Sequence, residues 1–146
     1  MYSGLLHAHN GFRWLVLLLL VFSVFLTFSG WIRKRSWTKA DSLIGLLLVI
    51  MMDIQFMLGI ILYAFVSPIT KAAFANFGAA MQNSDLRFFA VEHLLLMLIA
   101  LAMIHIGRAK SKKHTAPWKK YRVASIFYSV SLLIILAAIP WNRALF

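Results

Sequence analysis

The chain has no cysteine. Disulfides, thiolate metal sites and covalent attachment of a c-type haem are therefore excluded. Acidic residues are almost as scarce, with four Asp and Glu against fifteen Lys and Arg. No acyl-transfer triad, phosphate-cradling glycine loop or HExxH pattern is present, so catalysis by the chain alone is not indicated. Only 13% of residues are charged and 62% are hydrophobic. That composition is too apolar for an ordinary soluble domain of 146 residues.

What is abundant is uncharged apolar sequence. A membrane helix needs ~20 such residues, and runs of this length lie at about 12–32, 42–66, 86–107 and 121–140. They predict helices over about 5–34, 42–66, 85–108 and 118–140 in one domain that spans the whole chain. Asp41 and Ser42 are placed to cap the second, and Asn83, Ser84 and Asp85 the third. Thr115, Ala116 and Pro117 offer a cap and an early proline for the fourth. Pro68 and Pro140 end the second and fourth. Between them, Thr70, Phe74, Phe77 and Met81 recur at helical spacing, which predicts a short amphipathic helix over 70–81 on the membrane surface, or else a loop burying some aromatics. Short connections make neighbours antiparallel, so the expected fold is an all-α, up-down bundle of four transmembrane helices.

The net charge of +11 raises nucleic acid as a partner, but its distribution argues for lipid. Arg33, Lys34, Arg35 and Lys39 fill the first connection; Arg108, Lys110, Lys112, Lys113, Lys119, Lys120 and Arg122 fill or border the third. No basic motif interleaved with aromatics supports a nucleic-acid role. The positive-inside bias places both connections in the cytoplasm, with both termini and the 67–85 connection outside. The opening MYSGLLHAHNGFRW has no basic residue before Arg13, unlike a cleavable secretory signal, and reads as a retained membrane helix with a polar front end.

Charged groups at mid-bilayer cost ~2.5–3.5 kcal/mol each on insertion scales, so the few present need a reason. His93 lies about seven residues into the third helix from its outer end, a depth of ~10 Å. His9 lies in the first turns of the first helix, at the same end. Two imidazoles at one level on co-directional helices are suited to holding a b-type haem without covalent attachment. Gly59 falls near that level on the second helix, with Ala90, Ser129 and Ser131 as further small residues. Arg13, Arg87 and Asn10 are available at the outer rim for anionic propionates. His7 and His9 stand ~200° apart on a helix, so only one can face the bundle; His9 is favoured by depth, and His7 replaces it if the helix starts earlier. Glu92 is placed to pair with Arg13 or to orient a histidine. His105 lies ~18 Å along the axis from His93 and ~120° around it, so a second haem there is the weaker expectation and a hydrogen-bonding role the stronger. His114 sits in the basic loop, and Met51, Met52 and Met103 read as packing. Asp53 reads as a hydrogen-bonded carboxyl facing the bundle, or alternatively as a proton-relay or quinone-head partner with Gln55 or His105 nearby.

The segments LLHAHNGFRW, MDIQFMLGIILY, YAFVSP and RFFAVEHLLLMLIALAMIHIGRAKSKK together resemble small bacterial four-helix membrane proteins labelled cytochrome b. More loosely, they resemble half-bundles of haem A synthase and other membrane b-type cytochromes. The most specific parts are the HxHxxxRW opening and the EH step of the third helix. The resemblance implies a carrier of haem b in the bacterial inner membrane, with a periplasmic N-terminus and C-terminus. By motif position it points to His7 or His9, His93 and, less strongly, His105. The expectation is a bis-histidine electron carrier between a quinol or membrane partner and an outer-side acceptor. The alternatives are a non-catalytic accessory or scaffold subunit of a larger membrane complex, and a proton carrier using Asp53.

Overall fold

The computed structural model describes residues 2–141, which include helices and no strand. Helix α1 covers Tyr2–Ile32 and α2 covers Lys39–Ile61, which runs into a π-helical turn at Leu62–Val66. Three short helices follow: α3 (Pro68–Ala75), α4 (Phe77–Gln82) and α5 (Ser84–Arg87). A second π-helical turn, Phe88–Glu92, leads into α6 (His93–Lys113), and α7 covers Pro117–Ala138. Four stretches are long and apolar enough to cross a membrane: Tyr2–Ile32, Lys39–Val66, Ser84–Lys113 and Pro117–Ala138. The shortest has 22 residues, or ~33 Å at 1.5 Å per residue, against a hydrocarbon core of ~30 Å.

The outer surface of these helices carries many large apolar side chains. Leu18, Phe25, Phe65 and Leu133 are each at least 66% exposed, as suits helices solvated by lipid. The core is built from Val16 and Leu20 of α1, Leu48 and Met52 of α2, Ala100 and Ile104 of α6, and Ala124 and Ile135 of α7. Helix α7 packs along α6 and α1, whereas α2 touches α1 and, over less of its length, α6. Small residues permit the close crossings. A Cβ on Gly107 would lie 2.5 Å from Phe127 Cβ, and one on Gly30 would lie 2.5 Å from the Tyr121 ring. Three buried hydroxyls are satisfied by carbonyls: Ser23 donates to Leu19 (2.7 Å), Thr27 to Ser23 (2.7 Å) and Ser131 across to Ala100 of α6 (3.0 Å).

The connections are tightly punctuated. Lys34 adopts φ 50° after α1, a left-handed residue that lets Arg35 N–H return to the Gly30 carbonyl at 3.0 Å. Thr38, not Asp41 or Ser42, caps α2, which therefore begins at Lys39. Asp41 completes a reciprocal capping box with Thr38 and also accepts from Arg35 (2.7 Å) and the Tyr121 hydroxyl (2.8 Å). Asn83 caps α5 through Asp85 and Leu86 N–H. Ala116 precedes Pro117 without a side-chain cap.

The 70–81 segment differs from the amphipathic helix expected there. It forms two helices broken at Asn76, whose side chain caps α4. The buried side is small, made of Thr70, Ala73 and Ala80, while Phe74 and Phe77 face outward with their rings stacked 6.1 Å apart. Ala73 and Ala80 pack on Ala90, so Ala90 seats these short helices and does not widen the space beside His93.

Candidate functional site: a cavity between two histidines

The two π-helical turns flank one cavity of ≈ 220 Å³, bounded by α1, α2, α6 and the end of α7. Leu62 and Tyr63 of the first turn and Phe89 of the second contribute to its lining. A π turn inserts one residue and shifts the face that follows it, and such turns often mark functional positions. Here the second turn ends at Glu92, so His93 is the first residue of the helix whose facing it sets.

His9 and His93 both line this cavity. His93 Nδ1 lies 2.9 Å from the carbonyl oxygen of Ala138, the last residue of α7. A helix C-terminus leaves its last carbonyls without partners inside the helix, so this oxygen is free to accept from the ring. Nδ1 then carries the hydrogen, and Nε2 is the nitrogen with the lone pair. The His9 ring rests on Gly59, where a Cβ would stand 3.1 Å from His9 Cε1. Gln55 reaches over from α2 and donates through Nε2 to the His9 carbonyl at 3.0 Å, with the same nitrogen 3.3 and 3.4 Å from the two ring nitrogens. Its Oε1 is buried with no hydrogen-bond partner among the described residues.

Arg13 and Asn10 line the same cavity. His9 and Arg13 are one helical turn apart. Most of the remaining wall is apolar, with Val16, Leu17, Phe56, Met97 and Ile135 among its members, beside the hydroxyl-bearing Tyr2, Tyr63, Ser67 and Thr70. Donor nitrogens, a cation and an amide thus share a pocket whose wall is mostly hydrocarbon, a composition suited to binding a small molecule.

Other residues singled out from the sequence lie elsewhere. His7 is exposed and outside the cavity lining. Glu92 accepts from Arg87 Nε at 2.7 Å, so its partner is Arg87. Arg87 also donates to the Met81 carbonyl at 3.1 Å, which ties α4 to α5 and keeps this guanidinium away from the pocket. Ser129 and Ser131 are not part of the lining, and Ser131 is spent on the α6 backbone. His105 Nε2 lies 2.8 Å from Asp53 Oδ1, with both side chains nearly half exposed on the outer side of the α2–α6 pair. Asp53 is therefore hydrogen bonded but does not face the bundle interior. Tyr63, Thr70 and Phe89 were not foreseen as lining residues. Thr70 donates to the Tyr63 carbonyl (2.8 Å) and Tyr63 to the Ala90 carbonyl (2.7 Å), which fastens the short helices over the pocket. No group of three or more His, Cys, Asp or Glu placed to hold a metal ion occurs among the described residues.

No protein-family model, curated protein or solved structure matches this chain.

Proposed function

We propose that the chain is a membrane electron carrier that holds one haem b between His9 of α1 and His93 of α6. One observation carries the reading: both imidazoles line a single cavity, and the Ala138 carbonyl bound to His93 Nδ1 leaves Nε2 as the ligating nitrogen. The residues present suit the group. Two neutral imidazoles bring no charge into the span. Arg13 and Asn10 offer donors to propionates, and most of the wall is apolar, as suits the porphyrin face. When bound, haem supplies a one-electron couple at iron, and two histidine ligands suit it to electron transfer and not to oxygen chemistry.

In this reading the four helices cross a bacterial inner membrane as an up-down bundle. The basic first and third connections are cytoplasmic and both termini periplasmic. The cavity, near the start of α1 and the end of α7, then lies toward the outer face. Electrons come from a quinol or a membrane partner and leave to an outer-side acceptor.

Purified protein supplied with haem should show the absorption bands of a reduced b-type cytochrome. His9→Ala and His93→Ala should each abolish them, while His7→Ala should leave them unchanged. Colourless parent protein, or loss of the bands in His7→Ala alone, would overturn the assignment.

A second reading, membership of a larger membrane assembly, is favoured by Asp53 and His105. A carboxyl–imidazole pair open to hydrocarbon is costly, and a neighbouring subunit would cover it. Extraction in mild detergent should then bring down a stoichiometric partner that Asp53→Leu releases; a chain that always runs alone refutes this reading.

A further inference from the structure

A second recess of ≈ 400 Å³ opens between α2 and α6 at the opposite end of the bundle from the histidine cavity. Three cations border it: Lys39 from the first turn of α2, and Arg108 and Lys112 from the end of α6. Its floor is Gly45, and the missing side chain is what keeps it open. A Cβ there would lie 3.2 Å from the Tyr128 hydroxyl and 4.0 Å from Arg108 Cδ. Tyr128 is only 3% exposed, lines the recess and makes no hydrogen bond to any described residue. A buried phenol normally has a partner, so this hydroxyl is a donor awaiting an acceptor.

The acidic residue at the rim does not neutralise the cluster. The Asp41 carboxylate is already engaged by Arg35, Thr38 and Tyr121. Leu43 and Leu46 form the adjoining exposed wall, at 55% and 38% exposure. Net positive charge, an unpartnered hydroxyl donor and a flanking apolar wall therefore meet at one end of two helices long and apolar enough to cross a membrane.

We infer that this recess binds the phosphate of an anionic phospholipid. Arg108, Lys112 and Lys39 neutralise the phosphate, Tyr128 donates a hydrogen bond to it, and Leu43 and Leu46 lie along an acyl chain. Free phosphate shares the headgroup chemistry, but the leucine wall has a use only for a lipid. Basic recesses between transmembrane helices on the positively charged side are suited to such headgroups. The inference is independent of whether haem occupies the other cavity.

The test is native mass spectrometry of the full chain in mild detergent, titrated with phosphatidylglycerol or phosphatidylcholine. The parent should retain phosphatidylglycerol in preference to phosphatidylcholine. Arg108→Gln with Lys112→Gln should weaken retention roughly five-fold for each cation removed. Arg33→Gln with Lys34→Gln makes the same charge change outside the recess and should leave retention near the parent value. Gly45→Val should abolish retention at unchanged charge, and Tyr128→Phe should weaken it without altering the volume, so the proposal stays testable if Gly45→Val does not fold. Equal losses in the two double variants would overturn the site in favour of general surface charge. Displacement of the lipid by millimolar inorganic phosphate would overturn the lipid as the natural occupant.

Discussion

Replacing Gly59 by alanine adds a single methyl group, yet it strikes directly at the candidate site. The new Cβ would lie 3.1 Å from His9 Cε1 and 3.7 Å from His9 Nδ1. Comfortable carbon–carbon contacts lie at ~3.5–4.0 Å, so the ring must retreat by roughly half an ångström. It cannot easily do so as a rigid body. The His9 carbonyl is held by Gln55 at 3.0 Å, and His9 sits in the continuous helix Tyr2–Ile32. The imidazole must therefore rotate about its own side-chain bonds and swing its nitrogens out of line with His93. Disturbing the orientation of a metal-ligating histidine costs about 10–100-fold in affinity, and a single methyl belongs at the lower end. Overpacking a well-filled site costs ~1–3 kcal/mol of stability, so a helical, folded variant is still expected. The assay is a spectroscopic titration of haem into the haem-free protein, with far-ultraviolet circular dichroism as the folding control. We expect affinity to fall about ten-fold with helicity unchanged. A folded Gly59→Ala protein that binds haem as tightly as the parent would show that the His9 ring against Gly59 is not a ligand position.

Two further substitutions probe the frame that holds the cavity. Tyr121→Phe removes the hydroxyl that reaches Asp41 Oδ2 at 2.8 Å and the Ser36 carbonyl at 3.1 Å; a hydrogen bond to a charged group contributes ~1.5–3 kcal/mol, and the loss should appear in reversible unfolding in mixed micelles, together with faster tryptic cutting between Arg33 and Lys39. Gly107→Ala places a Cβ 2.5 Å from Phe127 Cβ, a contact that only separation of α6 and α7 can relieve, so unfolding should shift by ~1–3 kcal/mol and an unchanged transition would mean that the α6–α7 crossing is looser than described.

The four spans were legible because length and hydrophobicity decide them with little help from tertiary context. The levels of His9 and His93 were legible for a similar reason, since rise per residue accumulates predictably from a helix end. Angular position was not. A π turn at Phe88–Glu92 immediately precedes His93, so counting 100° per residue from Asp85 or Arg87 misplaces its face. The same turn brings Arg87 back onto Glu92 at 2.7 Å, five residues away, whereas a regular helix favours pairing at three or four. Asp53 shows the other limit. Lipid penalises a carboxyl, so an inward-facing position was the reasonable expectation, but the partner that satisfies it comes from 52 residues along the chain. That pairing depends on how α2 and α6 are rotated against each other, which neither sequence reports alone. For the 70–81 segment the sequence offers one amphipathic helix on the membrane surface or a loop burying some aromatics, and in neither are alanines the buried contact. Alanines took that role because Ala73 and Ala80 must sit flat on Ala90, and a phenylalanine would hold the short helices away.

The orientation of the two imidazoles rests on backbone features of different elements. His93 is directed by a π turn on one side and by the Ala138 carbonyl on the other. That carbonyl is available because α7 ends at Ala138, two residues before Pro140, which has no N–H with which to continue the helix. His9 is directed by the absence of a side chain at Gly59 and by the reach of Gln55. Neither ring needs a charged partner to hold it. A carboxylate hydrogen bonded to a ligating histidine raises its basicity, and here the nearby carboxylate, Glu92, is diverted to Arg87. Backbone and amide contacts hold the two rings, and no carboxylate is among the described residues that line the cavity. Arg13 is in the lining, and in the proposed haem site it would face the propionates.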